Sequence, residues 1–469
     1  MALKELFSAK DMTLGSPWKR IMEFSVPMLL GNIAQQLYNT ADSVIVGHYV
    51  GDNALAAVGS ASPILNLLLA LFVGISTGAG IVVSQSFGAR DREGLSKGIG
   101  NCITLTMIAT VFIMVVGPMI TRPMLQLLDT PVSIIEWCAD YLNIFFLGVA
   151  GFFFYNMLSG ILRGLGDSVS ALGFLLLAAA LNVVLDLWFV AGFGMGVPGV
   201  ALATVIAQGI SAVFCFIKLM NMGAYFDLNR STVKLEKAYA MRIIHIGIPS
   251  GITQAIMSMS MMVVQSLTNS MGEMVIAANV IIMRVDGFAM MPNFSFGQAM
   301  SVYSGQNVGA GKWDRVYKGV RQGTGIAQTF AIVIVIVILF LNTYLFSIFT
   351  NTQSLIDLAS EMMNIMAVGY IAMSITQVLG GVMRGCGDTV TPMWISIIST
   401  VVLRIPVAYV LAYFSKSAAY PNGHPFALSI SLLISWVMGM VLSVAAYRFG
   451  KTRKMILKGM ETQEQTAER

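Results

Sequence analysis

Apolar runs long enough to cross a bilayer recur along the whole chain, and they constrain its fold more than any other feature. A helix needs about 20 predominantly apolar residues to span the hydrocarbon core. Only 11% of the residues are charged, whereas a soluble domain carries about 25%. The sequence therefore predicts an all-α, polytopic membrane protein rather than a soluble protein with one anchor.

Polar breaks divide the sequence into twelve predicted membrane spans, numbered here 1 to 12. They lie near residues 21–46, 54–82, 98–120, 133–156, 168–190, 197–219, 242–268, 275–300, 322–347, 355–380, 392–414 and 425–447. The first run is too long for the core of a signal peptide, so we predict a spanning helix there and not a cleaved leader. The four cysteines form no C-x-x-C pair, so neither a disulfide framework nor a zinc site is indicated.

Lysines and arginines lie mainly on one side of the predicted spans. Of these 28 residues, 24 fall in the two terminal segments and in the loops that follow spans 2, 4, 6, 8 and 10. By the positive-inside rule we expect a multi-pass protein of the cell membrane with both termini in the cytoplasm. Because the charges are spread over seven short segments, we expect no nucleic-acid partner.

The two halves of the chain repeat each other at one constant offset. "RGLGDS" (163–168) matches "RGCGDT" (384–389), and "QSFGA" (85–89) matches "QNVGA" (306–310), both at a shift of 221 residues. We therefore predict two pseudo-symmetric six-helix bundles in one membrane orientation, an arrangement typical of secondary transporters. The predicted parts are an N-terminal cytoplasmic segment, two lobes separated by a linker, and a cytoplasmic tail: 1–20, 21–219, 220–241, 242–448 and 449–469.

Several motifs in this order resemble those of the multidrug and toxic compound extrusion (MATE) transporters over nearly the full length. They are Pro27 with "QQLYNTADSVIVG", then "GDNALAAVG", "SQSFGARD", the two "RGxGD[ST]" loops, "VPGVALAT" and "SGQNVGAGK". The resemblance implies a V-shaped pair of six-helix lobes and an alternating-access antiporter. It implies export of organic cations or other amphipathic compounds, driven by H⁺ or Na⁺. The acids of spans 1 and 5 are similar to those of the DinF-like branch.

Two aspartates lie inside apolar spans, Asp42 in span 1 and Asp186 in span 5. An ionisable side chain at the centre of a spanning helix costs at least about 2.5 kcal/mol, so it indicates a function or a buried partner. Both spans enter from the cytoplasmic side, and both acids follow about 18–20 residues later, at ~1.5 Å per residue. We therefore expect the two carboxyls at similar depth in the outer half of the bilayer.

Three neutral polar residues are predicted to reach the same depth. Asn182 lies one turn before Asp186 on the same helix face, while Tyr141 and Thr204 belong to spans 4 and 6, which enter from outside. Burial and mutual repulsion both favour the neutral form of a paired carboxyl, so the pair can take up and release a proton. We predict that Asp42, Asn182, Asp186, Thr204 and Tyr141 couple transport to H⁺.

Na⁺ is the alternative coupling ion, bound by the oxygens of Asp42, Asn182, Asp186 and Thr204. No other metal and no cofactor is predicted. Shifted by 221 residues, Asp42 and Asp186 correspond to Val263 and Val407. The predicted coupling site is therefore confined to the first half of the chain.

A substrate cavity and a helix bend complete the predicted site. We expect the cavity to include Gln35, Tyr38, Asn156, Arg284 and Asp286, and we expect span 1 to bend at Pro27, which lacks a backbone N–H donor. A structural ion pair between Asp286 and Arg404 is the favoured interpretation of the second-half charges. The expected partners are small cationic or amphipathic molecules and membrane lipid, with the protein a monomer.

Other functional classes have weaker support in the sequence. "GAGK" (309–312) lacks the first glycine and the Ser or Thr of a phosphate-binding loop. No metalloprotease or nucleophile-elbow motif occurs, so we predict that the chain is not an enzyme. A flippase for lipid-linked saccharide precursors remains an alternative, but it would favour a cleft lined by many cations, and only Arg284 and Arg404 lie in spans.

Overall fold

The computed structural model describes residues 8–127, 130–229, 231–418 and 420–467, and the secondary-structure elements of this part of the chain are all helices. Residues 1–7 and 468–469 of the predicted terminal segments, and residue 230 of the predicted linker, lie outside the described residues. The prediction of an all-α protein is confirmed.

Twelve helical spans follow one another where the apolar runs predict them. Nine described helices are individually long and apolar enough to cross a membrane, and two bent pairs raise this to eleven. The helix Pro17–Tyr49 is not among these eleven, and it occupies the place of the first predicted span. A further helix, Lys451–Ala467, lies in the predicted tail. The spans are Pro17–Tyr49, Asp52–Gly88, Arg92–Leu127, Ile135–Leu147 with Val149–Gly164, Ser168–Asp186 with the π-helical Leu187–Gly192, Gly196–Met220, Lys237–Ser270, Glu273–Gly309, Trp313–Ser347, Gln353–Ala367 with Gly369–Gly385, Val390–Ser396 with the π-helical Ile397–Arg404 and Ile405–Phe414, and Phe426–Phe449.

Spans 4 and 10 are each broken near the middle, at corresponding positions of the repeat. Span 4 bends by 54° and span 10 by 44°. Gly148 and Gly369, which are 221 residues apart, lie at these breaks. A Cβ atom on Gly148 would lie 2.2 Å from Val205, and one on Gly369 would lie 2.5 Å from Trp436. The glycine at each break therefore lets a neighbouring side chain pack closer than a Cβ atom would allow.

Backbone details outside the spans also repeat at the same offset. Gly51 and Gly272 precede spans 2 and 8 with φ angles of 104° and 102°. The Asp167 carboxylate accepts a hydrogen bond from the backbone N–H three residues later at 2.9 Å, and the Asp388 carboxylate accepts the equivalent bond at 3.1 Å. In both halves the aspartate of the "RGxGD[ST]" loop thus accepts a backbone N–H at the start of the next helix.

The helices belong to two compact units whose limits fall inside spans 1 and 7. Unit 1 takes in the chain up to Asp11 together with Val26–Gly251, and unit 2 takes in Met12–Ser25 together with Ile252–Arg469. The predicted domain limits follow polar breaks and stay a prediction. Hydropathy does not reveal a division within a continuous helix, because the apolar sequence runs straight through it.

The N-terminal segment Met12–Ser25 is fixed within unit 2 by polar side chains of the "SGQNVGAGK" motif. The backbone N–H of Met12 donates to Oε1 of Gln306 at 2.8 Å, and Nζ of Lys312 donates to the carbonyl of Thr13 at 3.0 Å. This motif, which lacks required residues of a phosphate-binding loop, therefore has a structural role.

The start of span 7 packs within unit 1 through a glycine–glycine crossing. A Cβ atom on Gly74 of span 2 would lie 2.2 Å from the backbone nitrogen of Gly251, and one on Gly78 would lie 2.7 Å from Gly247. Paired small residues at a four-residue spacing let helix backbones approach closely inside a membrane. Span 7 is held against span 2 in this way.

We expect Gly74→Ala to destabilise the protein by about 1–3 kcal/mol, because the added methyl group overlaps the backbone of span 7. The matched control is Gly59→Ala in the same span, where a Cβ atom meets nothing within 4 Å. Thermal unfolding of the purified proteins in detergent measures the difference. Equal unfolding temperatures for the two variants would show that the crossing is not tight.

Candidate functional site

The five residues predicted to couple ions lie together in unit 1. The carboxyl groups of Asp42 and Asp186 are within hydrogen-bonding range of each other. Nδ2 of Asn182 donates to Oγ1 of Thr204 at 3.3 Å, and the Tyr141 phenol interacts electrostatically with both acids. The structure therefore brings four spans together at one polar cluster, which we call the acid-pair site.

Tyr38 also belongs to the acid-pair site, although it was predicted to line the substrate cavity. Its hydroxyl is within hydrogen-bonding range of the Thr204 hydroxyl, and it interacts electrostatically with both acids. Tyr38 lies four residues before Asp42 in span 1, so the two side chains share a helix face. This four-residue spacing is the signal in the sequence that places Tyr38 beside Asp42.

The acid-pair site contains more hydrogen-bond acceptors than donors. Asp186 and Asn182 are fully buried. Both carboxylate oxygens of Asp186, Oδ1 of Asp42 and Oδ1 of Asn182 are buried without a hydrogen-bond donor. None of the ion pairs formed by described residues involves either acid.

A surplus of buried acceptors has a direct chemical consequence. An unpaired carboxylate in a poorly solvated interior costs several kcal/mol. Either a proton or a small cation between Asp42 and Asp186 would remove that cost: a proton turns one carboxyl into a donor, and Na⁺ accepts oxygen ligands directly. The arrangement is therefore suited to bind and release one of these ions.

The backbone of span 5 changes its winding at the acid. The α-helix Ser168–Asp186 is followed at once by the π-helical turn Leu187–Gly192. Asn182 and Asp186 are four residues apart in the α-helical part, so both point to the same side. π-Helical turns are rare and frequently occur at functional sites. The apolar pattern of the sequence gave no sign of this turn.

Span 1 shows no interruption at the predicted bend. The helix Pro17–Tyr49 continues through Pro27 as a single element. The proline removes one hydrogen-bond donor from the helix interior, which weakens the helix locally. A bend at Pro27 stays a prediction.

The residues predicted to line a substrate cavity are divided between the two units. In unit 1, Nε2 of Gln35 donates to Asn39 at 3.2 Å, and Nδ2 of Asn156 donates to the carbonyl of Phe152 at 2.8 Å. Arg284 and Asp286 belong to unit 2. A single cavity lined by all of them stays a prediction.

In unit 2, Asp286 is paired with a residue that sequence reasoning missed. The Tyr370 hydroxyl donates to Oδ1 of Asp286 at 2.8 Å. Arg404 interacts electrostatically with Asp286, but no direct contact between them is among the ion pairs of the described chain, and its buried Nε has no acceptor. The predicted ion pair is thus not formed directly. Tyr370 is 84 residues from Asp286, so no local spacing indicates the contact.

Comparison with known proteins gives consistent matches over most of the chain. The sequence model of the MatE family matches residues 27–188 and 249–410, one copy in each half. The chain is 30% identical to "Probable multidrug resistance protein YoeA" of Bacillus subtilis, over 89% of this chain and 92% of the relative. It is 29% identical to "Probable multidrug resistance protein YpnP" of the same organism, over 96% and 99%.

Solved structures share the fold. A structure described as the outward-facing conformation of a multidrug resistance MATE family transporter matches with a TM-score of 0.87 and 23% identity, covering 97% of this chain and 99% of that one. A structure of MATE in complex with MaL6 matches with a TM-score of 0.86 and 24% identity, covering 97% and 100%. The predicted twelve-helix architecture is thereby confirmed.

We expect Tyr370→Phe to lower the stability by about 1–3 kcal/mol, because it leaves the half-buried carboxylate of Asp286 without its donor. Tyr344→Phe is the matched control, since Tyr344 is 72% exposed. Thermal unfolding in detergent measures both changes. Unfolding of Tyr370→Phe at the wild-type temperature would mean that the hydrogen bond does not support the bundle.

Proposed function

Because the chain belongs to the MATE family, we propose that it is a secondary active antiporter that exports organic cations or other amphipathic drugs in exchange for H⁺. The family consists of multi-pass membrane transporters, so the protein is not an enzyme. Its named relatives are multidrug resistance proteins. The cytoplasmic termini, the monomeric state and the relation to the DinF-like branch stay predictions.

The observation that carries the proposal is the surplus of acceptors at the acid-pair site. Asp42 and Asp186 lie within hydrogen-bonding range, and three of their four carboxylate oxygens are buried without a donor. One proton between the carboxyls supplies the missing donor and removes one negative charge. The site is therefore more stable with a proton than without one, as a proton carrier requires.

The exchange of protons for substrate follows because both compete for the negative charge of the acid-pair site. When the acid-pair site is deprotonated, it attracts a cationic substrate electrostatically. Protons entering from outside neutralise Asp42 and Asp186, and the substrate loses this attraction and leaves to the outside. The site then opens to the cytoplasm, where the protons dissociate. Each cycle moves protons inward and substrate outward.

Span 1 is the element through which protonation changes the structure. It carries both Tyr38 and Asp42 of the acid-pair site, and it contains Pro27 fifteen residues earlier. A proton between the acids joins span 1 to span 5, whereas two repelling carboxylates push them apart. The helix interior at Pro27 lacks one hydrogen bond, so span 1 bends most easily there.

Coupling to Na⁺ is the second candidate, and the neutral oxygens of the acid-pair site favour it. Oδ1 of Asn182 has no donor, and the Thr204 hydroxyl lies beside the same residue at 3.3 Å. With the two carboxyls, these groups supply hard oxygen ligands, the type that alkali and alkaline-earth cations prefer. H⁺ and Na⁺ coupling make opposite predictions for a transport assay.

The test is drug transport in proteoliposomes with a pH gradient and a Na⁺ gradient imposed separately. We expect the pH gradient alone to drive transport by the wild type, and we expect Asp42→Asn and Asp186→Asn each to reduce transport to the level of empty liposomes. Transport is lost because the amide side chain of asparagine cannot carry the exchanged proton. Asp140→Asn, which changes an exposed acid of span 4, should transport like the wild type.

Two outcomes would contradict the proposal. Normal pH-driven transport by either acid-pair variant would exclude the site from coupling. Transport that requires Na⁺ at a fixed pH gradient would show that Na⁺, and not H⁺, is the coupling ion. Thermal unfolding of each variant shows whether a loss of transport reflects a loss of fold.

A further inference from the structure

The C-terminal helix, Lys451–Ala467, has one face packed on unit 2. Ile456 is fully buried, and a Cβ atom on Gly459 would lie 2.3 Å from the Trp313 ring. The backbone N–H of Trp313 donates to Oε1 of Gln463 at 3.1 Å. The helix is therefore a fixed part of unit 2 rather than a loose tail.

The basic residues of this helix divide between its two faces. Arg453 lies 5.0 Å from the centre of the Tyr317 ring, so its cation is used in packing. Lys451, Lys454 and Lys458 have the i, i+3, i+7 spacing of one helix face, and all three are exposed. In the part of the chain that the structure describes, their ammonium groups have neither an ion pair nor a hydrogen bond.

The three lysines line an open pocket of about 430 Å³ at the end of span 12. The other lining residues are Phe449, Gly450 and Met455. Phe449 is the last residue of span 12 and is 78% exposed. The pocket thus combines a cationic wall with an apolar edge at the point where the chain leaves the membrane.

We propose that this pocket binds the phosphate headgroup of an anionic phospholipid. Lysine ammonium groups bind phosphate as point charges, and basic segments directly after a spanning helix attract anionic lipids. The exposed Phe449 ring supplies a surface for the first part of an acyl chain, which a soluble phosphate does not have. The proposal is independent of the ion that drives transport.

Binding of phosphatidylglycerol and phosphatidylcholine to the full chain tests the proposal, measured by native mass spectrometry from detergent micelles. The two lipids share their acyl chains and differ in net charge. We expect wild type to bind phosphatidylglycerol roughly 100-fold more tightly than the variant Lys451→Gln/Lys454→Gln/Lys458→Gln, because each lysine contributes roughly fivefold and the three factors multiply. Phosphatidylcholine should bind both proteins equally.

The matched control is Lys234→Gln/Lys237→Gln/Lys416→Gln, which removes the same charge from exposed lysines elsewhere. It should bind phosphatidylglycerol within about twofold of wild type, since distant exposed charges are screened. If the triple variant unfolds at a lower temperature, the single variant Lys454→Gln replaces it, with an expected loss of roughly fivefold.

Three results would overturn the proposal. The first is equal binding of phosphatidylglycerol by wild type and the pocket variant, and the second is equal binding of the two lipids by wild type. The third is complete displacement of phosphatidylglycerol by glycerol phosphate, which would make the pocket a site for soluble phosphate esters. Retention of the lipid against glycerol phosphate supports a lipid site.

Discussion

Satisfaction of polar groups inside hydrocarbon is the constraint on which the whole structure depends. Water is absent there, so a hydroxyl or amide in a span that lacks a partner in the protein costs free energy. Most hydroxyls find one locally: those of Ser25, Thr106 and Thr121 each donate to the carbonyl four residues earlier, at 2.7, 2.7 and 2.9 Å. The acid-pair site departs from this pattern, because four buried acceptor oxygens without a donor lie together there. A transported ion would supply the missing partner of these acceptors. A permanent side-chain partner would occupy the same place and would prevent binding and release of the ion.

The two units use buried charge differently. In unit 1, Asp42 and Asp186 face each other without a cation or an N–H donor. In unit 2, Asp286 has a fixed donor in Tyr370. A carboxylate with a permanent hydrogen bond has less need of a proton, so Asp286 is suited to a structural role. This contrast supports confinement of ion coupling to unit 1, although both units descend from one repeated half.

Much of this arrangement was predicted from three features of the sequence: the length of the apolar runs, the constant offset between the two halves and the depth of the two acids in their spans. Spans were recognisable because a bilayer fixes their length, and the convergence of Asp42 and Asp186 followed from counting residues along helices that enter from one side. Other features could not be predicted, since they depend on packing between distant segments. The π-helical turn after Asp186 leaves no hydropathy signal, and the Tyr370 contact bridges 84 residues. The division of spans 1 and 7 between units likewise reflects contacts rather than apolar pattern.

The proposed coupling requires at least one proton between Asp42 and Asp186 when no substrate is bound. Infrared difference spectroscopy of the lipid-reconstituted protein measures this directly, since a protonated carboxyl has a C=O stretching band that a carboxylate lacks. We expect wild type at neutral pH without Na⁺ to show a carboxylic acid band that is absent from Asp186→Asn. A wild-type spectrum with no such band, or with a band that persists in both Asp42→Asn and Asp186→Asn, would show that no proton lies between these two acids.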